Sequence, residues 1–178
     1  MIRRVVTGHR AGKAVVVDDG APARTHSFQS MPGREVSVVW ATSRQPTVGG
    51  GTDGEDTTRQ VTFLPREAES RLVLMKIPPR SATSRADFDA AAAAREFVEV
   101  LPEMAATRER DDPAMHRTDT IDYVLVLDGE IHLELDDGRE VVLKQHDIVV
   151  QSGTRHAWRN KGENVVTMAV VLIGARRL

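Results

Sequence analysis

Short apolar runs separated by glycine, proline and aspartate dominate this chain of 178 residues. In the second half, residues 121–127, 131–135 and 140–143 are such runs, and Asp-Gly pairs at 128–129 and 137–138 separate them. Asp-Gly between alternating apolar positions favours a tight hairpin turn. Further runs of the same kind follow at residues 148–151, 156–159 and 165–173. Their regular spacing predicts short antiparallel strands that close into a sandwich or barrel.

The first half contains fewer runs of this kind. Residues 14–17, 35–42, 60–64 and 71–77 are apolar enough to predict strands, whereas residues 46–58 are polar and glycine-rich and predict a surface loop. We expect residues 67–178 to form the barrel and residues 1–66 to form a β extension. That extension is too small to bury its own core, so it should pack on the barrel or exchange strands with a second subunit.

One segment has a helical pattern. Residues 84–101 contain five consecutive alanines, which are strong helix formers, and Ser84 is a candidate N-terminal cap. Phe88 and Phe97 would face the barrel, and Pro102 would end the helix. The predicted fold class is therefore all-β, a barrel with an N-terminal strand extension and one inserted helix.

Composition narrows the possible functions. The formal net charge is −2 with acids and bases interspersed, so nucleic-acid binding is not expected. With no cysteine, the chain has neither disulfides nor thiolate chemistry. Apolar runs are far shorter than the roughly 18 residues of a membrane span, and no secretory leader is evident, so we expect a cytoplasmic protein without membrane contact. No nucleotide-binding motif is present, so no nucleotide cofactor is expected.

Candidate chemistry concentrates in two stretches. The first, residues 116–122 (HRTDTID), places His116, Thr118 and Asp122 at positions of the same parity, so all three can face one side of a strand. The second, residues 146–160 (HDIVVQSGTRHAWRN), contains His156. Imidazole nitrogens together with a carboxylate suit zinc, iron, manganese or nickel. These two stretches therefore predict a polar site inside the barrel.

The two stretches resemble the paired motifs of the cupin superfamily. His116 matches the first histidine of the first motif, while Thr118 stands where that motif has its second histidine and Asp122 where it has glutamate. In the second motif Gly153, His156 and Asn160 match, whereas His146 replaces a glycine and Gln151 a proline. The resemblance implies the cupin β-barrel, also called a double-stranded β-helix or jelly roll.

The resemblance also implies a function inside the barrel. In cupins, histidines and a carboxylate at these positions hold a divalent metal, which makes His116, Asp122 and His156 the candidate ligands here. Because the set is incomplete, a metal-free pocket with two histidines is the alternative. We expect a metal-assisted lyase, either a decarboxylase or a dehydratase, acting on a carboxylated or carbonyl substrate. An iron-dependent dioxygenase and a non-catalytic ligand-binding protein are the other hypotheses.

Residue roles and partners complete the predictions. His116, His156 and Asp122 are the catalytic candidates. The substrate-binding candidates are Thr118, Trp158, Tyr123 and Gln151, although strand alternation also favours an outward packing role for Tyr123. Expected partners are a small-molecule ligand and a second copy of the chain in a homodimer.

Overall fold

The computed structural model describes residues 2–48, 58 and 61–178. Two α-helices are described in full, α1 (Ala90–Val100) and α2 (Pro102–Ala105). The strands in these residues are β1 (Arg4–Arg10), β2 (Lys13–Gly20), β3 (Arg24–Ser27), β4 (Glu35–Thr42), β5 (Ser70–Ile77), β6 (Thr120–Asp128), β7 (Glu130–Glu134), β8 (Glu140–Lys144), β9 (Ile148–Ser152), β10 (Ala157–Arg159) and β11 (Val166–Gly174).

All strand pairs in this part of the chain are antiparallel. One sheet has six strands in the order β3-β4-β5-β11-β6-β9, a second has the order β10-β7-β8, and β1 and β2 form a separate hairpin. The core contains buried apolar side chains from both larger sheets, including Val124 and Met168 from the first and Ile131 and Leu133 from the second. The predicted all-β barrel is confirmed.

Strand alternation explains which residues of β6 reach the interior. Asp122 and Val124 are buried, whereas the intervening Tyr123 is 43% exposed. Successive side chains of a strand point to opposite faces of the sheet. One face of β6 therefore points into the barrel with both polar and apolar side chains, and the other face points to solvent. This alternation brings Asp122 to the interior.

The inserted helix is present but begins later than predicted. Asp89, not Ser84, is the N-cap of α1, because its side chain accepts a hydrogen bond of 2.9 Å from the Ala92 N–H. Before it, Arg85 and Asp87 form an exposed ion pair in a turn. The predicted inward position of Phe97 is confirmed, since this side chain is buried in the core.

The N-terminal segment contributes directly to the large sheet. Strands β3 and β4 extend it through pairing of β4 with β5 of the same chain. Exchange of these strands with a second subunit stays a prediction. The short polar strands β1 and β3 were not predicted. The strand predicted at residues 60–64 is wrong for residues 61–64, and residue 60 lies outside the described residues, as does most of the loop predicted at 46–58.

None of the helices in the described residues is long and apolar enough to cross a membrane.

Candidate functional site

A cavity of about 110 Å³ lies within the barrel and is lined mainly by residues of the six-stranded sheet. Because one water needs roughly 10–15 Å³ by the same measure, the cavity has room for several waters or one small organic molecule. Most of its wall is apolar, with side chains such as Phe63, Val73 and Leu172. Its polar lining residues are Arg34, Glu35, Lys76, Arg108, His116, Thr118, Asp122 and His156. Such an apolar pocket with a few convergent polar groups is typical of small-molecule sites.

His116 and His156 form a close pair on one side of the cavity. Two reciprocal backbone hydrogen bonds of 2.9 Å join the residues, and their ring centroids are 4.3 Å apart. Each ring is oriented by a backbone carbonyl, since His116 Nδ1 lies 2.9 Å from Ala114 O and His156 Nδ1 lies 3.0 Å from Thr154 O. A carbonyl oxygen only accepts hydrogen bonds, so Nδ1 carries the proton in each ring and the neutral Nε2 keeps its lone pair.

The surroundings of the pair favour neutral rings. Burial, and secondarily the neighbouring His156, lowers the pKa of His116 to about 4, and burial also lowers the pKa of His156. Both imidazoles are therefore neutral at pH 7, and their Nε2 atoms can accept a proton or bind a cation.

Asp122 is the buried carboxyl group of the site. Its Oδ1 atom is buried without a hydrogen-bond partner. Burial raises the pKa of Asp122 to about 6, an effect that the neighbouring Thr120 hydroxyl partly offsets. The hydroxyl of Thr118, where the cupin motif has a histidine, lies 2.7 Å from the Thr120 hydroxyl. Asp122 can thus exchange a proton near neutral pH.

A resident metal would need these donor atoms to converge on one point. Two imidazole nitrogens are well oriented for a metal, each by a backbone carbonyl. Within residues 2–48, 58 and 61–178, however, no three histidine, aspartate or glutamate side chains are close enough together to hold a metal ion. As placed, the residues do not fit a metal with three protein ligands, and the predicted set of His116, Asp122 and His156 stays a prediction.

The substrate-binding candidates divide into two groups. Thr118 and Trp158 line the cavity, and the Trp158 ring lies edge-on to His156 with 5.6 Å between centroids. Tyr123 does not reach the cavity, because alternation along β6 places it on the outer face. Gln151 is buried in β9, where its Nε2 donates to Thr154 Oγ1 at 2.7 Å, and it is not part of the cavity wall. Tyr123 and Gln151 are therefore misplaced as substrate contacts.

Two cavity residues were missed by the sequence analysis. Arg34 immediately precedes β4, and Arg108 follows α2. Both guanidinium groups approach the ring of Phe97, with Cζ atoms 5.2 Å and 3.4 Å from its centroid. Neither arginine belongs to a motif or to a regular apolar pattern, so nothing in the sequence indicated that they would meet.

The remaining motif residues shape the backbone. Gly153 has φ of +58°, and a Cβ there would lie 3.3 Å from Thr118 O, which explains the requirement for glycine. The Asn160 amide group donates to Ile77 O at 2.9 Å and to Asn164 O at 2.8 Å, linking the end of β5 to the loop before β11. His146, in place of the motif's glycine, has φ of +75°.

The site and its surroundings define an all-β protein whose antiparallel two-sheet barrel holds a polar cluster in a mostly apolar cavity. A family model described as the cupin domain matches residues 103–172, from α2 to β11. Residues 103–172 of the chain therefore carry a cupin domain.

Several curated proteins are similar to part of the chain. Phomopsin biosynthesis cluster protein C' of Diaporthe leptostromiformis is 54% identical over 54 residues, which are 30% of this chain and 29% of that protein. Oryzines biosynthesis cluster protein J of Aspergillus oryzae is 38% identical over 34% of each chain. The cupin-domain-containing oxidoreductase virC of Hypocrea virens is 41% identical over 26% of this chain and 24% of that protein. The matches thus span about a third or less of these relatives.

Solved structures give weaker likenesses. A putative ethanolamine utilization protein Q from Salmonella typhimurium aligns over 99% of this chain and 98% of that chain, with 12% identity and a TM-score of 0.42. A cupin domain of an XRE family transcriptional regulator from Enterobacter cloacae aligns over 60% of this chain and 83% of that chain, with 17% identity and a TM-score of 0.36. These overlaps are too low to bear on function.

Proposed function

We propose that this protein is a small-molecule lyase that uses the His116–His156 pair as its proton acceptor. The supporting observation is the orientation of the two rings, which leaves two neutral Nε2 lone pairs facing a partly open, mostly apolar cavity. A positioned side-chain base contributes about 10²–10⁴-fold to rate. The substrate is a carboxylated or carbonyl compound small enough for the cavity.

Proton transfer in a dehydration can be assigned to these groups. An Nε2 lone pair takes the proton from the carbon next to the substrate's carbonyl or carboxyl group. Protonated Asp122, whose pKa is about 6, gives its proton to the leaving hydroxyl. The C–H and C–O bonds break, a C=C bond forms, and water leaves. In a decarboxylation, the proton donor instead protonates the carbon that loses carbon dioxide.

The test is a screen for turnover. Purified protein is incubated with a series of hydroxy acids and keto acids, and loss of water or carbon dioxide is followed by mass spectrometry. For any substrate found, His116→Ala and His156→Ala should lower kcat by about 10²–10⁴-fold, with unchanged circular dichroism. His9→Ala, an exposed histidine on β1, is the matched control and should leave kcat unchanged.

Wild-type activity that survives both cavity-histidine substitutions would contradict the proposal. Binding of a ligand without any turnover would instead support the non-catalytic alternative.

A metal-dependent enzyme is the second candidate. It is favoured by relatives named as cupin-domain-containing oxidoreductases and by the two carbonyl-oriented imidazoles, which could serve as two ligands of a divalent metal. A bound metal would polarise a substrate oxygen, or, as iron, would support dioxygenase chemistry. Titration of chelator-treated protein with zinc, iron(II), manganese and nickel tests it. Failure of all four to bind would refute this version.

We also propose that the protein is a homodimer. The outer face of β6 and β9 exposes apolar side chains, among them Tyr123 at 43% and Ile148 and Val150 at 65%. Tyr123 and Val150 are directly paired across the two strands, so these groups form one patch that a second copy can cover. Light scattering should give twice the chain mass, and Val150→Lys should give the monomer mass. A monomeric wild type would refute the proposal.

A further inference from the structure

Arg34 and Arg108 enter the cavity from elements outside both cupin motifs. Arg34 lies at the end of an N-terminal loop, and Glu96 on α1 fixes this loop by accepting hydrogen bonds of 2.8 Å from the Gln29 and Ser30 N–H groups. Phe28 in the same loop stacks on Phe97 of α1 with 6.1 Å between ring centroids. The position of Arg34 is therefore built into the fold.

Neither guanidinium has a partner of opposite charge. Within the described ranges, no ion pair or side-chain hydrogen bond joins Arg34 or Arg108 to another residue. Instead, both guanidinium groups make cation–π contacts with phenylalanine rings. Lys76 and Glu35, which also line the cavity, neutralise each other in an ion pair of 2.8 Å. Even with Asp122 ionised, the two arginines leave the cavity with an excess of positive charge.

Stacking leaves the arginines only partly satisfied. A guanidinium lying over an aromatic face is stabilised through its flat side, while the N–H groups on its edge remain free to donate. Burying an uncompensated charge is costly, so proteins normally pair a buried arginine with a carboxylate. Two such unpaired groups at one small cavity are the expected arrangement for an anionic ligand, and a planar carboxylate fits the fork of donors on a guanidinium.

We infer that Arg34 and Arg108 form the receptor for a carboxylate group of the substrate. This inference deepens the proposed function, on which it rests, by choosing a carboxylated substrate over a neutral carbonyl compound. The arginines hold the carboxylate, the apolar wall holds the carbon skeleton, and the reacting carbon faces His116 and His156. Both arginines are binding residues, separate from the proton-transfer groups.

Binding, not turnover, tests this receptor. Straight-chain carboxylates from acetate to hexanoate are titrated into the full chain, each beside its neutral amide, and heat of binding is recorded by calorimetry. At least one carboxylate should bind about 10-fold or more tighter than its amide, because a hydrogen bond to a charged group is worth more than a neutral one. If no carboxylate binds more tightly than its amide, the receptor is refuted.

Matched variants locate the binding. Arg34→Met and Arg108→Met preserve side-chain volume, and each should weaken carboxylate binding by about 10-fold or more while leaving amide binding unchanged. Arg108→Lys, which keeps the charge, should retain part of the affinity. Arg110→Met is the control, because Arg110 is exposed and two residues away, and it should bind as the wild type does. Wild-type affinity in both cavity variants would show that the arginines only support α1 and would overturn the inference.

The proposed function can fail independently. His116→Ala and His156→Ala should still bind the carboxylate if the receptor is correct, whether or not the protein has lyase activity. Loss of carboxylate binding in the histidine variants together with full binding in the arginine variants would assign the anion to the histidines instead.

Discussion

The cavity has two chemically different sides. The histidine wall, made of His116, His156 and Asp122, carries two imidazoles that stay neutral at pH 7 and a carboxyl group with a pKa of about 6. The arginine wall, made of Arg34 and Arg108 above Phe97, carries fixed positive charge. The first belongs to the matched cupin domain and comes from its motifs, whereas Arg34 lies outside residues 103–172. In the proposed function the matched domain thus supplies the proton-transfer groups and Arg108, while the N-terminal segment adds Arg34.

The largest expected change in stability comes from removing the Phe97 ring, against which both guanidinium groups of the arginine wall lie. Phe97 is 4% exposed and packs against Phe28 and both guanidinium groups. Phe97→Ala should lower the free energy of unfolding by about 3–5 kcal/mol, because it leaves a cavity in the core. Urea denaturation measures this change. The neighbouring Val98→Ala is the control, since Val98 is 54% exposed, and an equal loss in both variants would show that Phe97 has no special role.

On the histidine wall, the next effect is a gain in stability. The pKa of Asp122 is about 6 in the folded protein and has its ordinary value of 3.8 in the unfolded chain. Above pH 6 the folded protein therefore contains a destabilised carboxylate. Asp122→Asn should therefore raise the free energy of unfolding by about 3 kcal/mol at pH 8. This gain should disappear as the pH falls below about 4.

Denaturation at several pH values measures this difference. Asp128→Asn, on the exposed end of the same strand, is the control and should show no such pH-dependent gain. A gain from Asp122→Asn that is the same at pH 4 and pH 8 would contradict the buried-carboxylate explanation.

Glu96, which holds the loop that carries Arg34, should contribute a smaller stabilisation with the opposite pH dependence. Partial burial of Glu96 opposes ionisation, but the Ser30 and Gln29 N–H groups and His26 outweigh it and lower the pKa of Glu96 to about 2. Its stabilisation is complete above pH 4.5 and is lost as the pH falls towards 2.

Glu96→Gln should therefore lower the free energy of unfolding by about 1–2 kcal/mol at pH 7 and by less at pH 3. Glu99→Gln, on the exposed face of the same helix, serves as the control for thermal unfolding. If the two variants lose the same stability at pH 7, the loop is not held by Glu96.

The smallest expected effect lies at His146. This exposed residue has φ of +75°, a conformation that costs a non-glycine residue about 1 kcal/mol. His146→Gly should raise the free energy of unfolding by about 0.5–1 kcal/mol, less the greater freedom of glycine in the unfolded chain. Calorimetry measures the change, and a loss of stability would show that the imidazole makes a contact of its own.

The histidine wall was predictable because its residues lie in local motifs, with Asp122 on β6 and the two histidines in an isolated bridge beside the strands. Alternation alone placed His116, Thr118 and Asp122 on one side, and all three line the cavity. The same rule excludes Tyr123 from the interior. The fold class was predictable for the same reason, since turn residues and apolar runs follow one another regularly from residue 120 onward.

The arginine wall was not predictable because it depends on long-range packing. Arg34 and Arg108 are 74 positions apart and lie in segments without a period, and only the packing of Phe28 on Phe97 brings them together. The helix start was misplaced for a local reason, since Ser84 and Asp89 are both good caps and only the bond to Ala92 distinguishes them.

If the two walls act on one cavity, the pKa of His116 depends on the arginine wall. Arg108 and Arg34 both contribute to lowering this pKa, after burial and His156. Titration of the ring nitrogens by NMR in chelator-treated protein should give a His116 pKa of about 4. In the neutral ring the proton should lie on Nδ1. In the double variant Arg34→Met, Arg108→Met the same pKa should rise, because two like charges are removed. An unchanged pKa in that variant, or a wild-type value at or above the ordinary 6.5, would contradict the account.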